Sequence, residues 1–190
     1  IEGGKEAEPV ITRILSISPT ENGKNMILAV DNKKNLFNIS DFSNSTSICV
    51  EGDVIECMPS KVYGNSITLD ENSFVRKLDN DESIPSLSQL RTKINDVKVD
   101  SSYCIEAIVL KVPERREVQT KSGESIALSE MFVEDDTGQI WVKGWRNQAR
   151  IIDKCELGEI ISITGLNAKA GLEGRIELFV TSFSKITKKN

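Results

Sequence analysis

The sequence predicts an all-β protein: two tandem five-stranded barrels, the second with a short helix between its third and fourth strands. Three observations predict this. Short apolar runs recur about every ten positions and are bounded by turn residues, the pattern of small antiparallel barrels. The chain has 190 residues, enough for two small domains at roughly 100 residues each. An acidic stretch closed by proline, Asp79-Asn80-Asp81-Glu82-Ser83-Ile84-Pro85, separates two sets of strands as a linker would. The expected division is residues 1–78 as a divergent N-terminal domain, 79–87 as linker and 88–190 as the C-terminal domain.

In the first half we expect strands at 11–17, 26–30, 36–39, 53–58 and 66–69. Pro19-Thr20-Glu21-Asn22-Gly23 and Asp31-Asn32-Lys33-Lys34-Asn35 supply turns, and Lys61 to Asn65 a loop. Residues 40–48 hold Ser, Asn and Thr, which favour turns over helix interiors, so no long helix is expected there. A short helix is expected at 86–94, with Ser86 or Ser88 as its cap.

The second half repeats the plan. A long strand at 103–112 leads into a charged loop at 113–124, then strands at 127–134 and 139–145. The turn Asp135-Asp136-Thr137-Gly138 joins the last two. A short helix at 147–154 precedes strands at 157–163 and 175–180, with a loop at 168–174 between them. Three strands, a helix and two strands in about 100 residues is the order of the OB-fold.

Alternation assigns the faces of the central hairpin. Ile140 and Val142 suit a barrel interior, which sends Trp141, Lys143 and Trp145 outward. Pairing Val133 with Ile140 sets Phe132 opposite Trp141 and Glu130 opposite Lys143. It also sends Met131 and Val133 inward, so the register is self-consistent. Three aromatics then surround one cation on an outer surface, where stacked bases would cover them. The loops and edges beside that face carry Lys111, Arg115, Arg116, Lys121, Lys169 and Arg175, suited to phosphate. Lys143 suits a cation–π contact or a phosphate, with Glu130 partly neutralising it. For Phe179 we expect packing against the helix. Phe37 and Tyr63 occupy the corresponding places in the first half.

Composition narrows the function. The net charge is −5, from 24 Lys and Arg against 29 Asp and Glu. Residues 1–85 hold 8 basic against 14 acidic side chains, and residues 86–190 hold 16 against 15, so only the second half tolerates a polyanion. An acidic first half suits a rigid neighbour, a weak second site or a docking surface for a basic protein better than independent binding of DNA. There is no His, and Cys49, Cys57, Cys104 and Cys155 form no CxxC pair. That argues against structural zinc and removes the commonest general base. No cofactor and no enzymatic activity are expected. The only Gly-Lys steps, Gly4-Lys5 and Gly23-Lys24, lack the hydroxyl residue of a phosphate-cradling loop. Asp135-Asp136 reads as a turn rather than a carboxylate pair. Scattered thiols read as reduced, half-buried residues of an intracellular protein, cytoplasmic or nucleoid/nuclear. No apolar run is long enough for a membrane span and no signal-like segment opens the chain. The missing initial Met leads us to expect flanking domains.

Residues 94–189 resemble the replication protein A and single-stranded DNA-binding OB-fold family of archaea and eukaryotes. The resemblance rests on Ile94-Asn95-Asp96-Val97, on Val133-Glu134-Asp135-Asp136-Thr137-Gly138 running into Gln139-Ile140, and on Trp145 closing strand three. Leu157-Gly158-Glu159-Ile160-Ile161 and Gly174-Arg175-Ile176-Glu177-Leu178 complete it. It implies that Trp145 stacks on single-stranded nucleic acid. Trp141 stands where the family often has a smaller polar residue, and residues 167–173 lack the aromatics that the family often carries there. The expected function is non-enzymatic binding of single-stranded DNA in replication, recombination or repair, with RNA able to stack in the same way. The alternative is an OB-fold protein-interaction or RNA-binding module whose aromatics dock a partner.

Overall fold

A computed structural model describes residues 8–189. The chain divides into two compact units between Leu90 and Arg91. Both are OB-folds.

The first unit has seven strands: β1 (Val10–Pro19), β2 (Asn25–Val30), β3 (Leu36–Asp41), β4 (Val54–Met58), β5 (Lys61–Tyr63), β6 (Ser66–Leu69) and β7 (Phe74–Leu78). They form one sheet in the order β5-β6-β3-β2-β1-β4-β7. The five strands read from sequence are present, and β3 pairs in parallel with β6 as strands three and five of this fold do. Two short strands were not expected. Lys61–Tyr63 pairs with β6 rather than looping, and Phe74–Leu78 adds an edge to β4. Ile14, Ile27, Ile39, Ile55, Ile67 and Leu69 fill this core. Phe37 belongs with them: it stands opposite Ala29 on the inner face and packs against the core, so it is no counterpart of an outward tryptophan. Tyr63 is exposed.

Asp41 organises the loop after β3, accepting hydrogen bonds from Ser43 and Thr46 through backbone and side chain alike. Turns fill residues 45–48, and no helix forms there. The Arg13 guanidinium on β1 donates to the carbonyls of Asp81 and Ile84, so the acidic segment lies along this unit with Ile84 buried. The helix expected at 86–94 shrinks to one turn, α1 (Leu87–Leu90), followed by a 3-10 turn at Ile94–Asp96. Its residues present no buried apolar stripe to hold a longer helix.

The second unit holds β8 (Ser102–Gln119), β9 (Ser125–Glu134), β10 (Gln139–Trp145), the helix α2 (Ala149–Asp153), β11 (Ile160–Ala170), β12 (Ile176–Phe179) and β13 (Ile186–Lys188). The order β12-β10-β9-β8-β11 closes through a β11–β12 pairing, giving a five-stranded barrel with β13 added to β11. Ile105, Met131, Val133, Val142, Ile161 and Leu178 lie in its core. The helix forms where expected. Gly144 makes this possible, because a Cβ there would sit 2.7 Å from the carbonyl oxygen of Gln148.

Residues 113–119 are strand, not loop. β8 continues past Pro113 and pairs with β9 down to Gln119–Ser125. Proline cannot donate to the ladder, and the register shifts on either side of Lys111 absorb it as irregularities. The result is a two-stranded ribbon, with its turn at residues 120–124, extending the barrel wall.

Candidate nucleic-acid interface

The β9–β10 register is the one alternation demands. Val133 faces Ile140, Phe132 faces Trp141, Met131 faces Val142 and Glu130 faces Lys143. Ile140 and Val142 are buried in the core, whereas Trp141, Lys143 and Trp145 are half-buried on the outer face. Neither indole belongs to the barrel core.

Pairings extend this face across the wall. Lys111 on β8 stands beside Phe132, Trp141 beside Glu177 on β12, and Glu177 beside Lys169 on β11. One row of outward side chains therefore reads Lys111, Phe132, Trp141, Glu177, Lys169. At about 4.8 Å per strand it spans roughly 19 Å of surface, with a cation at each end. The Phe132 and Trp141 rings lie 4.9 Å apart at 43°. Lys111 Nζ lies 5.4 Å from the Phe132 ring and 5.5 Å from the Trp141 ring. Lys169 sits 5.5 Å over Phe179, whose neighbours across the ladder are Lys143 and Asn167, so Phe179 borders this face.

The cations fall into two groups. Lys143 makes an ion pair with Glu177 at 2.9 Å, with side chains only 16% and 10% exposed. Glu130, the expected neutraliser of Lys143, instead accepts Nε and Nη2 of Arg116. The lysines over aromatic rings on this face are Lys111 and Lys169, not Lys143. Arg115 binds Asp153 at 2.6 Å, and Asp153 also accepts the Ser129 hydroxyl at 2.6 Å, tying the ribbon to α2. By contrast, Lys111, Lys121, Lys169 and Arg175 have no ion pair among the described residues. Sequence reasoning missed Glu177, whose side chain needs the space left by Gly171: a Cβ there would lie 2.5 Å from it.

The β9–β10 turn anchors the segment before β8. Asp135 accepts Thr137 N–H, Thr137 Oγ1–H and Gly138 N–H on one oxygen and Ile94 N–H on the other. Burial pushes its pKa up, but those hydrogen bonds outweigh it and hold the carboxyl below its ordinary value. Lys93 adds a 2.7 Å ion pair to Asp136.

All four cysteines are free and buried rather than half-buried. Burial pushes the Cys57 and Cys155 thiols up to about 11. No group of three His, Cys, Asp or Glu among the described residues could hold a metal ion, and none of their helices is long and apolar enough to cross a membrane.

No family model matches the chain. Over 121 residues, 63% of the chain, the sequence is 26% identical to Replication factor A of Methanothermobacter thermautotrophicus, and the chain spans 15% of that protein's length. Among solved structures, a murine DNA-binding protein bound with double-stranded DNA is 16% identical with a TM-score of 0.60, covering 96% of this chain and 97% of that one. A replication protein A heterotrimer bound to single-stranded DNA is 14% identical with a TM-score of 0.59, covering all of this chain and 51% of its counterpart. At these identities the structural likeness concerns the fold.

Proposed function

On a chain that resembles the replication protein A family in sequence and in fold, we propose that the second barrel binds single-stranded DNA without catalysing a reaction, serving replication, recombination or repair. The observation that carries this reading is the row of two aromatics flanked by cations that no carboxylate neutralises. Bases stack on Trp141, Phe132 and Trp145, and Lys111, Lys121, Lys169 and Arg175 hold phosphates. Stacking tolerates any base because each has a π-face, and RNA stacks equally well. The carboxylate partners of Arg115, Arg116 and Lys143 keep these three out of phosphate contact.

Both tryptophans of the chain lie on β10, so tryptophan fluorescence, excited selectively over tyrosine, reports this face. Titration with a 15-residue oligothymidylate should quench it. Trp141→Ala should weaken binding by about 5- to 150-fold, equivalent to about 1–3 kcal/mol for one stacked base. Quenching by duplex but not by single strand, or an unchanged affinity in Trp141→Ala, would overturn the reading.

The acidic first unit is proposed as a docking domain for a basic protein, within an intracellular compartment that holds DNA. Residues 1–78 and 88–190 are proposed as the two domains, with 79–87 joining them. Limited proteolysis should cut first at 79–82, ahead of buried Ile84.

A further inference from the structure

Arg146 directly follows Trp145 and opens the turn between β10 and α2. Its backbone is left-handed, with φ +56°. Glycine adopts that conformation freely, whereas a residue with a side chain is strained there. Four other non-glycine residues among the described ones have a positive φ, and none of them adjoins an aromatic of the face. Strain beside a binding surface points to a task for the side chain that bears it.

That side chain reaches Glu124, in the turn at the tip of the β8–β9 ribbon. Nη1 donates to Oε1 at 2.9 Å and Nη2 to Oε2 at 3.4 Å. The two side chains are 56% and 55% exposed. An ion pair so open to water contributes little to stability and does not offset the strain of the backbone.

The pairs of Arg115, Arg116 and Lys143 differ in what a departing cation would leave behind. Asp153 also accepts the Ser129 hydroxyl, and Glu130 and Glu177 are only 19% and 10% exposed. Removing their partners would leave carboxylates poorly solvated. Among the described residues the Glu124 carboxylate accepts from Arg146 alone, and once released it is hydrated where it stands. Phosphate and carboxylate both accept two parallel N–H donors of a guanidinium, so one replaces the other without a change of geometry.

We propose that Arg146 binds the phosphate beside the base stacked on Trp145, and that Glu124 occupies the guanidinium until the strand arrives. This assigns the site a cation outside the aromatic row and gives the ribbon tip a part in binding, as the holder of an exchangeable anion.

The proposal rests on the reading of the face as a single-strand site, and the test separates the two. The full chain and its variants are titrated with a thymidylate 15-mer, followed by tryptophan fluorescence, in about 0.1 M potassium chloride so that distant charges are screened. Arg146→Gly should weaken binding about two- to fivefold, the worth of one exposed charge contact. It should nevertheless melt in denaturant no earlier than the parent, because glycine relieves the strain. Glu124→Gln should tighten binding by a similar factor, since no anion then competes for the guanidinium, and most of that gain should vanish in the double variant with Arg146→Gly. A merely structural tie between ribbon and barrel predicts the opposite sign for Glu124→Gln, because either substitution would break it. Unchanged or weakened binding by Glu124→Gln therefore overturns the exchange and leaves the stacking face intact. So does an Arg146→Gly variant that binds as the parent does or melts earlier. Failure of the parent to bind the strand removes the face itself, and the role of Arg146 with it.

Discussion

The division of cations into paired and unpaired fixes a measurable salt dependence. Each phosphate contact to a single strand contributes about 0.7 to the slope of log K against log salt concentration. Seven cations lie on or around the face: Lys111, Arg115, Arg116, Lys121, Lys143, Lys169 and Arg175. If all seven met phosphate the slope would approach about −5. Pairing of Arg115, Arg116 and Lys143 with carboxylates leaves four, and the expected slope is about −3. A tenfold rise in salt should then weaken binding roughly 600-fold rather than nearly 10⁵-fold. The assay is the fluorescence titration of a thymidylate 15-mer over a tenfold range of potassium chloride. Lys111→Ala or Lys169→Ala should each reduce the slope by about 0.7. Arg115→Ala should leave it unchanged, since moving that guanidinium to a phosphate would strand Asp153 between Ser129 and α2. A parent slope near −5, or an Arg115→Ala slope equal to that of Lys111→Ala, would show that the ion pairs exchange for phosphate and refute the reasoning.

Glu130→Gln should free Arg116, steepening the slope by about 0.7 and tightening binding several-fold at low salt, and adding Arg116→Ala should cancel both. Asp135→Ala should destabilise the second unit by about 2 kcal/mol at pH 7, through lost hydrogen bonds to a charged acceptor, as measured by denaturant melting followed by tryptophan fluorescence. Because the folded pKa of Asp135 is lowered, that contribution is complete above the ordinary value of 3.8 and fades as pH falls through the folded one, so mutant and parent should converge in acid. Gly144→Ala should cost at least about 2 kcal/mol in the same melt, because its Cβ would press on the backbone of Gln148. Trp145→Ala should lower stability as well as affinity: Leu128, its cross-strand neighbour, is an outer-face residue outside the core cluster yet only 2% exposed. A Trp145→Leu variant that restores stability without restoring affinity separates the two roles.

What the sequence made legible was whatever depends on neighbours along the chain. The alternation of Ile140 and Val142 with Trp141, Lys143 and Trp145 set the hairpin register because a slip of one residue would have buried a lysine. The extension of β8 beyond Val112 was hidden, because Pro113 and a run of charges look like a loop when no partner strand is in view. In the first unit, Phe37 looked like a surface aromatic, but its position opposite Ala29 turns it toward the core. The electrostatics were least legible. Lys143 and Glu177 are 34 positions apart, and Arg115 and Asp153 are 38 apart. Only the closure of the barrel through β12 and the docking of α2 bring them together. Charge counts could nominate the cations of the face, but not which of them a carboxylate already holds.

That neutralisation bears on which nucleic acid the proposed face selects. A duplex keeps its bases stacked on one another, so a protein surface gains from it chiefly through phosphate contacts. Four unpaired cations on a chain of net charge −5 are a weak basis for such binding. A single strand offers the same phosphates and also its base faces, each worth about 1–3 kcal/mol against an aromatic ring. The Lys143–Glu177 pair sharpens the contrast, since it sets a self-neutralised patch beside Trp141, where a base rather than a phosphate would lie. Converting Glu177 to Gln would release the positive charge of Lys143 beside the row. On this reasoning it should raise affinity for duplex proportionally more than for single strands, eroding a selectivity that arises from scarcity of charge and not from its abundance.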